Sequence, residues 1–247
     1  MTTRKLIFAA ATAWLGLGCA PGVAAPTSWN AAGDFSTTAN PNGQWSYGFL
    51  VVQAGALTND FVLSTQTSSG VDPVTGVQQT GWVCDYCDIW KNAATVRAYG
   101  VGVGQIGLDS DYGDSSTIRW TAPSAAVYSI SGSFGSSGSG TGPSGAGWEW
   151  GTGTRSVSID GQQVWSETGD EWTPLGSQFS FNETLAAGAT IDFTVWGNSG
   201  CCGNTEIDAT ISTVVEPSSA IMTLVGLVGV RSFRRRKVSR LRSVSEA

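Results

Sequence analysis

The chain has 247 residues, of which 33 are Gly, 11 are Trp and 13% are charged, a composition that excludes a helical bundle and suits short strands joined by turns. Aromatic residues make up 10% of the chain, which is enough bulky apolar surface to close a core and excludes general disorder. Between Pro26 and Val215, four basic residues stand against 17 carboxylates, a balance of 4 − 17 = −13 that would repel phosphate and excludes nucleic acid as a partner.

The N-terminus has the three-part layout of a secretory signal peptide. Arg4-Lys5 precedes an apolar run from Leu6 to Leu17, and Ala24-Ala25 offers a small-residue cleavage site. We therefore expect residues 1–25 to be a signal peptide and the rest of the protein to be exported. Cys19 leaves a lipoprotein as an alternative.

Strands are predicted throughout the next two hundred residues, because β-forming runs recur at short intervals without 3.6-residue periodicity. In the cleanest run, Ile191, Phe193 and Val195 alternate with polar residues, which predicts one buried and one wet face. Asp160-Gly161 predicts a hairpin with a type I′ turn, and Asn40-Pro41-Asn42-Gly43 predicts a second turn. The predicted strands are residues 45–52, 60–67, 81–84, 94–99, 105–108, 116–121, 126–134, 154–159, 163–166, 178–182, 190–196 and 205–214.

These strands predict an all-β fold with a single domain. No linker divides the region from Trp29 to Val214, and no fixed-period repeat indicates a propeller or a β-helix. We expect one antiparallel β-sandwich, jelly-roll-like, over residues 26–215, with an N-terminal signal helix before it and a short C-terminal apolar helix after it.

Four cysteines follow the signal peptide: Cys84, Cys87, Cys201 and Cys202. An even number in an exported chain predicts disulfides, and three connectivities are open. Adjacent cysteines bridge each other only with strain, so we favour two bonds from the 84/87 pair to the 201/202 pair. Each would close a loop of about 115 residues and contribute about 4–5 kcal/mol in the chain-entropy model. A redox pair between Cys84 and Cys87 and a four-thiolate zinc site are the alternatives.

Asp109, Asp111 and Asp114 place three oxygen ligands around Gly113, as a calcium loop requires. The flanking helices and the distal Glu of an EF-hand are absent from this stretch of sequence. A structural calcium site is therefore one interpretation, and a solvated acidic turn is the other. No further cofactor is expected.

The sequence argues against an enzyme. It contains no His, so neither a Ser-His nor a Cys-His couple can form, and it has no nucleophile elbow and no phosphate-binding loop. Carboxylates could still supply the pair that a glycosidase uses, but such pairs occur by chance in so acidic a chain. The candidates for such a pair are Glu149, Glu167, Asp170 and Glu171.

Trp148, Glu149, Trp150 and Trp172 are the residues that we expect to bind a ligand. Exposed indoles stack on the apolar faces of sugars, while nearby carboxylates bond to the hydroxyls. If residues 148–150 are extended, both of their indoles project from one face. The alternative is that these indoles fill the core, and the same two interpretations apply to Trp82, Trp90 and Trp165.

The C-terminal residues 216–247 begin with Glu-Pro-Ser-Ser, continue with an apolar run from Ala220 to Val230 and end in a basic tail. Eleven helical residues span roughly 17 Å, short of the roughly 30 Å hydrocarbon core, so the anchor is marginal and its basic end stays cytoplasmic. This order resembles the PEP-CTERM sorting signal of Gram-negative bacteria, with Val215 where that family has its first Pro. A plain C-terminal membrane anchor is the alternative.

The resemblance implies export, transient anchoring in the inner membrane, processing by an exosortase and association with exopolysaccharide. It extends into the sandwich, because Asp34-Phe35-Ser36, Arg119-Trp-Thr-Ala-Pro123 and Leu185-Ala-Ala-Gly188 recur in many PEP-CTERM proteins, which look like carbohydrate-binding-module-type jelly rolls. We therefore predict a non-catalytic protein of the cell surface or extracellular matrix that binds polysaccharide. The alternative is a structural or adhesive surface protein that makes protein–protein contacts.

Overall fold

The computed structural model of the protein describes residues 26–71, 78–85, 87–135, 153–169, 177–197 and 204–214. Residues 26–214 form one compact unit. The predicted signal peptide, the C-terminal segment, Trp148 to Trp150, Trp172 and the Cys201-Cys202 pair lie outside the described residues. Within the described ranges, the chain has no helix of the length and apolarity needed to span a membrane.

The described part of the chain contains fourteen strands in two antiparallel sheets. The strands are β1 (Ser28–Asn30), β2 (Trp45–Gln53), β3 (Ala56–Leu63), β4 (Gln66–Val71), β5 (Gln78–Cys84), β6 (Cys87–Asn92), β7 (Ile106–Ser110), β8 (Ser115–Thr121), β9 (Ala126–Phe134), β10 (Gly153–Ile159), β11 (Gln162–Gly169), β12 (Ser177–Leu185), β13 (Thr190–Trp196) and β14 (Asn204–Thr213).

The two sheets stack as a jelly-roll-like sandwich, as predicted. Sheet A has the order β12-β9-β14-β7-β6-β5-β4, with β1 paired to β14. Sheet B has the order β11-β10-β13-β8-β2-β3. The chain passes between the sheets several times, so strands that are neighbours in sequence often lie in different layers.

The core lies between the facing sides of the sheets. Ile191, Phe193 and Val195 of β13 are buried there, which confirms the buried face predicted for this strand. Trp120 of β8 meets Tyr128 of β9 edge to face, with 5.0 Å between ring centroids, and so ties sheet B to sheet A. Full burial of an aliphatic or Phe side chain, such as Ile191 or Phe193, contributes about 1.5–3 kcal/mol to stability relative to exposure.

Two predicted strands need correction, and two observed strands were not predicted. Residues 94–99 form a loop, because the Asn92 side-chain amide donates to the backbone carbonyls of Val96 at 3.0 Å and Val101 at 2.8 Å and folds the segment back. The predicted strand 60–67 is divided between β3 and β4, since the chain leaves sheet B and enters sheet A at Ser64. Strands β1 and β6 are additional.

Side chains on the outer face of sheet B are less exposed to solvent than predicted. Asp192 and Thr194 are each 1% exposed although they alternate with core residues. Arg119 covers Asp192 with two hydrogen bonds of 2.6 and 2.8 Å, and its guanidinium lies 4.2 Å from the centroid of the Phe61 ring. Thr194 shares a hydrogen bond of 3.0 Å with Thr117. Asp192 and Thr194 therefore hydrogen-bond to side chains on this face instead of to water.

Both predicted turns are confirmed. Asp160 and Gly161 have φ values of 48° and 77°, and Ile159 pairs with Gln162 directly across them, as a type I′ turn requires. In the earlier turn, Gly43 has a φ of 59°.

Candidate functional site

A cleft of about 380 Å³ opens at the edge of the sandwich, where two segments of the chain cross between the sheets. Residues 64–65 carry the chain from β3 to β4, and residues 111–114 carry it from β7 to β8. The turn of the β5–β6 hairpin forms a third side. The cleft is lined by Phe49, Val62, Leu63, Ser64, Thr65, Gln66, Val83, Cys84, Asp85 and Asp114.

The crossing at Ser64 is held in place from several directions. The Ser64 backbone N–H donates to the carbonyl of Tyr47 at 3.0 Å, and its hydroxyl donates to the carbonyl of Val83. The Asn40 side-chain amide donates to the carbonyls of Ser64 at 2.8 Å and Tyr47 at 2.7 Å. Because these bonds tie β2, β5 and the N-terminal segment together, the floor of the cleft is formed before any ligand arrives.

Two carboxylates lie together in the cleft. Tyr112 and Gly113, with φ values of 52° and 90°, form a tight turn that is closed by the bond from the Asp114 N–H to the Asp111 carbonyl at 3.0 Å. Burial raises the pKa of Asp114, and the nearby Asp85 carboxylate raises it further. The Thr65 hydroxyl and the Gln66 amide add further hydrogen-bonding groups to a lining that also contains apolar side chains such as Phe49 and Val62.

A second pair of carboxylates lies on the outer face of sheet A, where Asp88 lines a separate cavity with Trp90. Asp88 of β6 is opposite Asp109 of β7, and burial of its carboxylate together with the Asp111 carboxylate raises the pKa of Asp88 to about 6, although the residue as a whole is exposed. The predicted calcium ligands are thus divided, since Asp111 interacts with Asp88 and Asp114 with Asp85. No group of three or more His, Cys, Asp or Glu residues in the described ranges is arranged to hold a metal ion. Calcium binding by Asp109, Asp111 and Asp114 stays a prediction.

None of the described residues that line the cleft is basic. The four cations of the sandwich are engaged elsewhere: the Lys91 ammonium donates to the Ala32 carbonyl, and Arg97 lies 3.5 Å from Glu206. Arg119 is paired with Asp192 as described above, and Arg155 is buried and donates to Ser177. The field in the cleft is therefore negative, which disfavours anionic ligands.

The cysteine pairing at the cleft differs from the one that we favoured. Cys84 and Cys87 are directly opposite each other across the β5–β6 turn, with 5.0 Å between their Cα atoms, and they form a disulfide with each other. The predicted bonds from this pair to Cys201 and Cys202 are therefore wrong. A two-residue hairpin turn brings the two thiols within bonding distance without any long-range approach.

The structure shows the surroundings of three tryptophans for which the sequence allowed either ligand binding or a place in the core. Trp82 is buried and stacks on Tyr47 with 6.4 Å between centroids. Trp165 stacks on Phe134 at 5.6 Å. Trp90 lies on the outer face of sheet A but is only 4% exposed, because the loop of residues 94–101 covers it. The core interpretation is confirmed for Trp82, while Trp165 is partly buried against the same core and Trp90 belongs to a separate buried cluster.

A trough of about 250 Å³ lies beside Trp90 on the outer face of sheet A. Its floor is made of small residues on neighbouring strands, Ser68, Gly70 and Gly81. A side chain at Gly81 would have its Cβ 2.3 Å from the carbonyl oxygen of Ile89, so this position accepts only Gly.

The predicted ligand residues, Trp148, Glu149, Trp150 and Trp172, lie outside the described ranges, so their role stays a prediction. The cleft brings in residues that the sequence did not single out, chiefly Phe49, Thr65, Gln66 and Asp85. The one signal available for them was the position of Asp85 in the short turn between Cys84 and Cys87.

No protein-family model matches the chain, and the curated proteins contain no match to it. Among solved structures, the native structure of a family 35 carbohydrate-binding module from Clostridium thermocellum is 14% identical over 51% of this chain and 87% of that chain, with a TM-score of 0.31. A CBM35 from Paenibacillus barcinonensis is 15% identical over 60% and 99%, with a TM-score of 0.29. The Podospora anserina GH26-CBM35 β-(1,4)-mannanase is 16% identical over 55% and 29%, with a TM-score of 0.30. Similarity at this level assigns neither a family nor a ligand to the chain.

Proposed function

We propose that this chain is an exported, non-catalytic protein of the cell surface or matrix whose sandwich binds a neutral polysaccharide in the cleft beside Ser64. The observation that carries the proposal is the lining of the cleft, which combines residues with carboxylate, amide and hydroxyl groups with apolar residues and includes no basic residue among those described. Sugar hydroxyls bond well to carboxylates and amides, and the C–H faces of sugar rings pack on apolar and aromatic side chains.

The charge of the cleft selects among polysaccharides. Burial and the Asp85 carboxylate already raise the pKa of Asp114. A uronate or sulfate group placed next to them would add a third negative charge without a counter-ion. The proposed ligand is therefore a neutral chain of hexoses or pentoses, and not an acidic exopolysaccharide.

Export and sorting belong to the same proposal. Residues 1–25 would direct secretion, and residues 216–247 would hold the protein transiently in the inner membrane until an exosortase processes it. The sandwich would then meet polysaccharide outside the inner membrane. Cell fractionation with and without residues 216–247 tests this part independently of ligand binding.

The binding proposal is tested by affinity electrophoresis of the full chain in gels that contain neutral glucans, mannans or xylans, or acidic alginate or polygalacturonate. We expect retardation by at least one neutral polymer and by neither acidic one. Gln66→Ala should weaken binding about fivefold, the value of one lost hydrogen bond of about 1 kcal/mol. Gln178→Ala, the same exchange at an exposed position of β12, should leave retardation unchanged.

Two outcomes would contradict the proposal. Mobility that no neutral polymer changes would remove polysaccharide binding and favour the structural or adhesive alternative. Binding that survives Gln66→Ala and Asp114→Ala but is lost in Trp148→Ala/Trp150→Ala would move the site to the residues that the sequence predicts.

One observation favours a second candidate function, glycoside hydrolysis. A carboxyl with a raised pKa beside a second carboxylate is the arrangement that supplies a general acid and its partner in glycosidases, and Asp114 and Asp85 have this relation. A reducing-sugar assay with each polymer that retards the protein distinguishes the two functions. Release of reducing ends that is lost in Asp114→Asn would establish hydrolysis and overturn the non-catalytic proposal.

A further inference from the structure

Strand β4 forms one edge of sheet A and pairs on one side only with β5. No other described strand pairs with it, and all six of its residues are exposed. Every second residue of such a strand directs its backbone N–H and C=O away from the sheet, where another strand can bond to them.

Strands β3, β11 and β12 end the sheets at the other three edges and differ from β4 in ways that protect an edge, while β1, which pairs only with β14, has just three residues. Strands β3, β11 and β12 carry Asp60, Glu167 and Glu183 respectively. Strands β3 and β11 also pair with their neighbours through register shifts, which twist an edge away from a flat approach. Charges and bulges are the usual means by which proteins prevent strands from pairing between molecules.

Strand β4 has none of these features. Its sequence, Gln-Thr-Ser-Ser-Gly-Val, contains no charged residue and no Pro, and its pairing with β5 runs without a register shift. Val71 at its end is 62% exposed. A Cβ added at Gly70 would meet no atom within 4 Å, so the strand can be approached closely.

We propose that β4 is an interface through which two copies of this chain pair edge to edge, as antiparallel strands related by a twofold axis normal to the sheet. Such an axis pairs residues of the same face, so the strands meet with Ser68 opposite Ser68 or with Ser69 opposite Ser69. Neither register places two charges opposite each other. Sheet A then continues from one copy into the next, and the partner covers Val71.

The occupant is a second copy because the edge offers no charge to attract a different partner, whereas its small polar residues match themselves across the axis.

Charge elsewhere on the molecule opposes the pairing. The described residues include 4 basic residues and 13 carboxylates, so the two acidic bodies repel each other. Salt screens this repulsion beyond about 8 Å at physiological ionic strength, and association should therefore strengthen as salt is added. The inference does not rest on polysaccharide binding.

Sedimentation velocity of the full chain, in a mild detergent that solvates the apolar C-terminal segment, tests the interface. We expect a concentration-dependent dimer that becomes tighter between low and high salt. Ser68→Lys or Ser69→Lys should raise the dissociation constant by about tenfold or more, because like charges then face each other in the pair. The residue with the larger effect identifies the register. Asn182→Lys on β12 is the matched control, since it adds the same charge at another exposed edge.

Hydrogen exchange supplies a second measurement that does not depend on a variant. Amides of residues 66–71 should exchange more slowly at high protein concentration than at low concentration, while amides of β12 should not change. A chain that sediments as a monomer at every concentration would overturn the proposal. So would a dimer that Ser68→Lys, Ser69→Lys and Asn182→Lys all leave intact while residues 66–71 exchange at the monomer rate. Far-UV circular dichroism confirms that each variant keeps the sandwich.

Discussion

Arg119 forms an ion pair with Asp192. Replacement of Arg119 alone should destabilise the sandwich more than replacement of both residues. Arg119 of β8 donates to both carboxylate oxygens of Asp192 on the neighbouring strand β13, at 2.6 and 2.8 Å. Asp192 is 1% exposed, whereas the Arg119 side chain keeps 19% of its surface in water. In Arg119→Met, the carboxylate therefore stays buried and loses its counter-ion.

The magnitude follows from this asymmetry. Breaking a buried ion pair by removing one partner costs about 3–5 kcal/mol, mainly because a buried charge is left unpaired. Loss of the contact between Arg119 and Phe61 adds about 0.5–1 kcal/mol. Water can reach the site where Arg119 is exposed, so we expect the lower end of the sum, about 3.5 kcal/mol in total. In Arg119→Met/Asp192→Val no charge remains buried, and stability should return to within about 1 kcal/mol of the unaltered protein.

Urea unfolding followed by tryptophan fluorescence measures these differences, provided that the slope of the free energy of unfolding against urea is the same for each protein. Asp192→Val alone completes the double-mutant cycle and reports the coupling between the two residues. A double variant as unstable as Arg119→Met would refute the reasoning, because the cost would then come from lost packing and not from the orphaned carboxylate.

Three further predictions concern stability. Burial raises the pKa of the Asp88 carboxyl from 3.8 to about 6, so the folded state binds a proton at this group more tightly than the unfolded chain does. The melting temperature should therefore rise as the pH falls from above 6 toward 3.8. The rise should be smaller in Asp88→Asn, which lacks the titrating carboxyl. Gly107→Ala should cost about 1–3 kcal/mol in urea unfolding, because its Cβ would lie 2.8 Å from an indole, while Gly70→Ala should change stability by less than about 0.5 kcal/mol. Cys84→Ser/Cys87→Ser should cost about 2 kcal/mol in the same assay, since the disulfide closes a short loop, and a loss of about 4–5 kcal/mol would instead indicate a long-range bond.

The site could be predicted only in part. The sequence marked the acidic residues of the 109–114 turn and the cysteines of the β5–β6 hairpin as notable, and one member of each set, Asp114 and Cys84, lines the cleft. It did not indicate that Asp114 lies near Asp85 and Asp111 near Asp88, because that depends on where the chain crosses between sheets. Phe49 and Gln66, on strands of different sheets, have no relation in sequence that would place them in one cleft.

The sequence by itself determined the all-β class, the alternation of Ile191, Phe193 and Val195 and the type I′ turn at Asp160-Gly161, because strand periodicity and turn conformation are local properties of a few consecutive residues. Only the tertiary structure decided which edges stay open, which carboxylates become neighbours and that Asp192 is buried under Arg119. Those outcomes depend on strand order and register, which arise from contacts between residues far apart in the chain, and no local pattern encodes them.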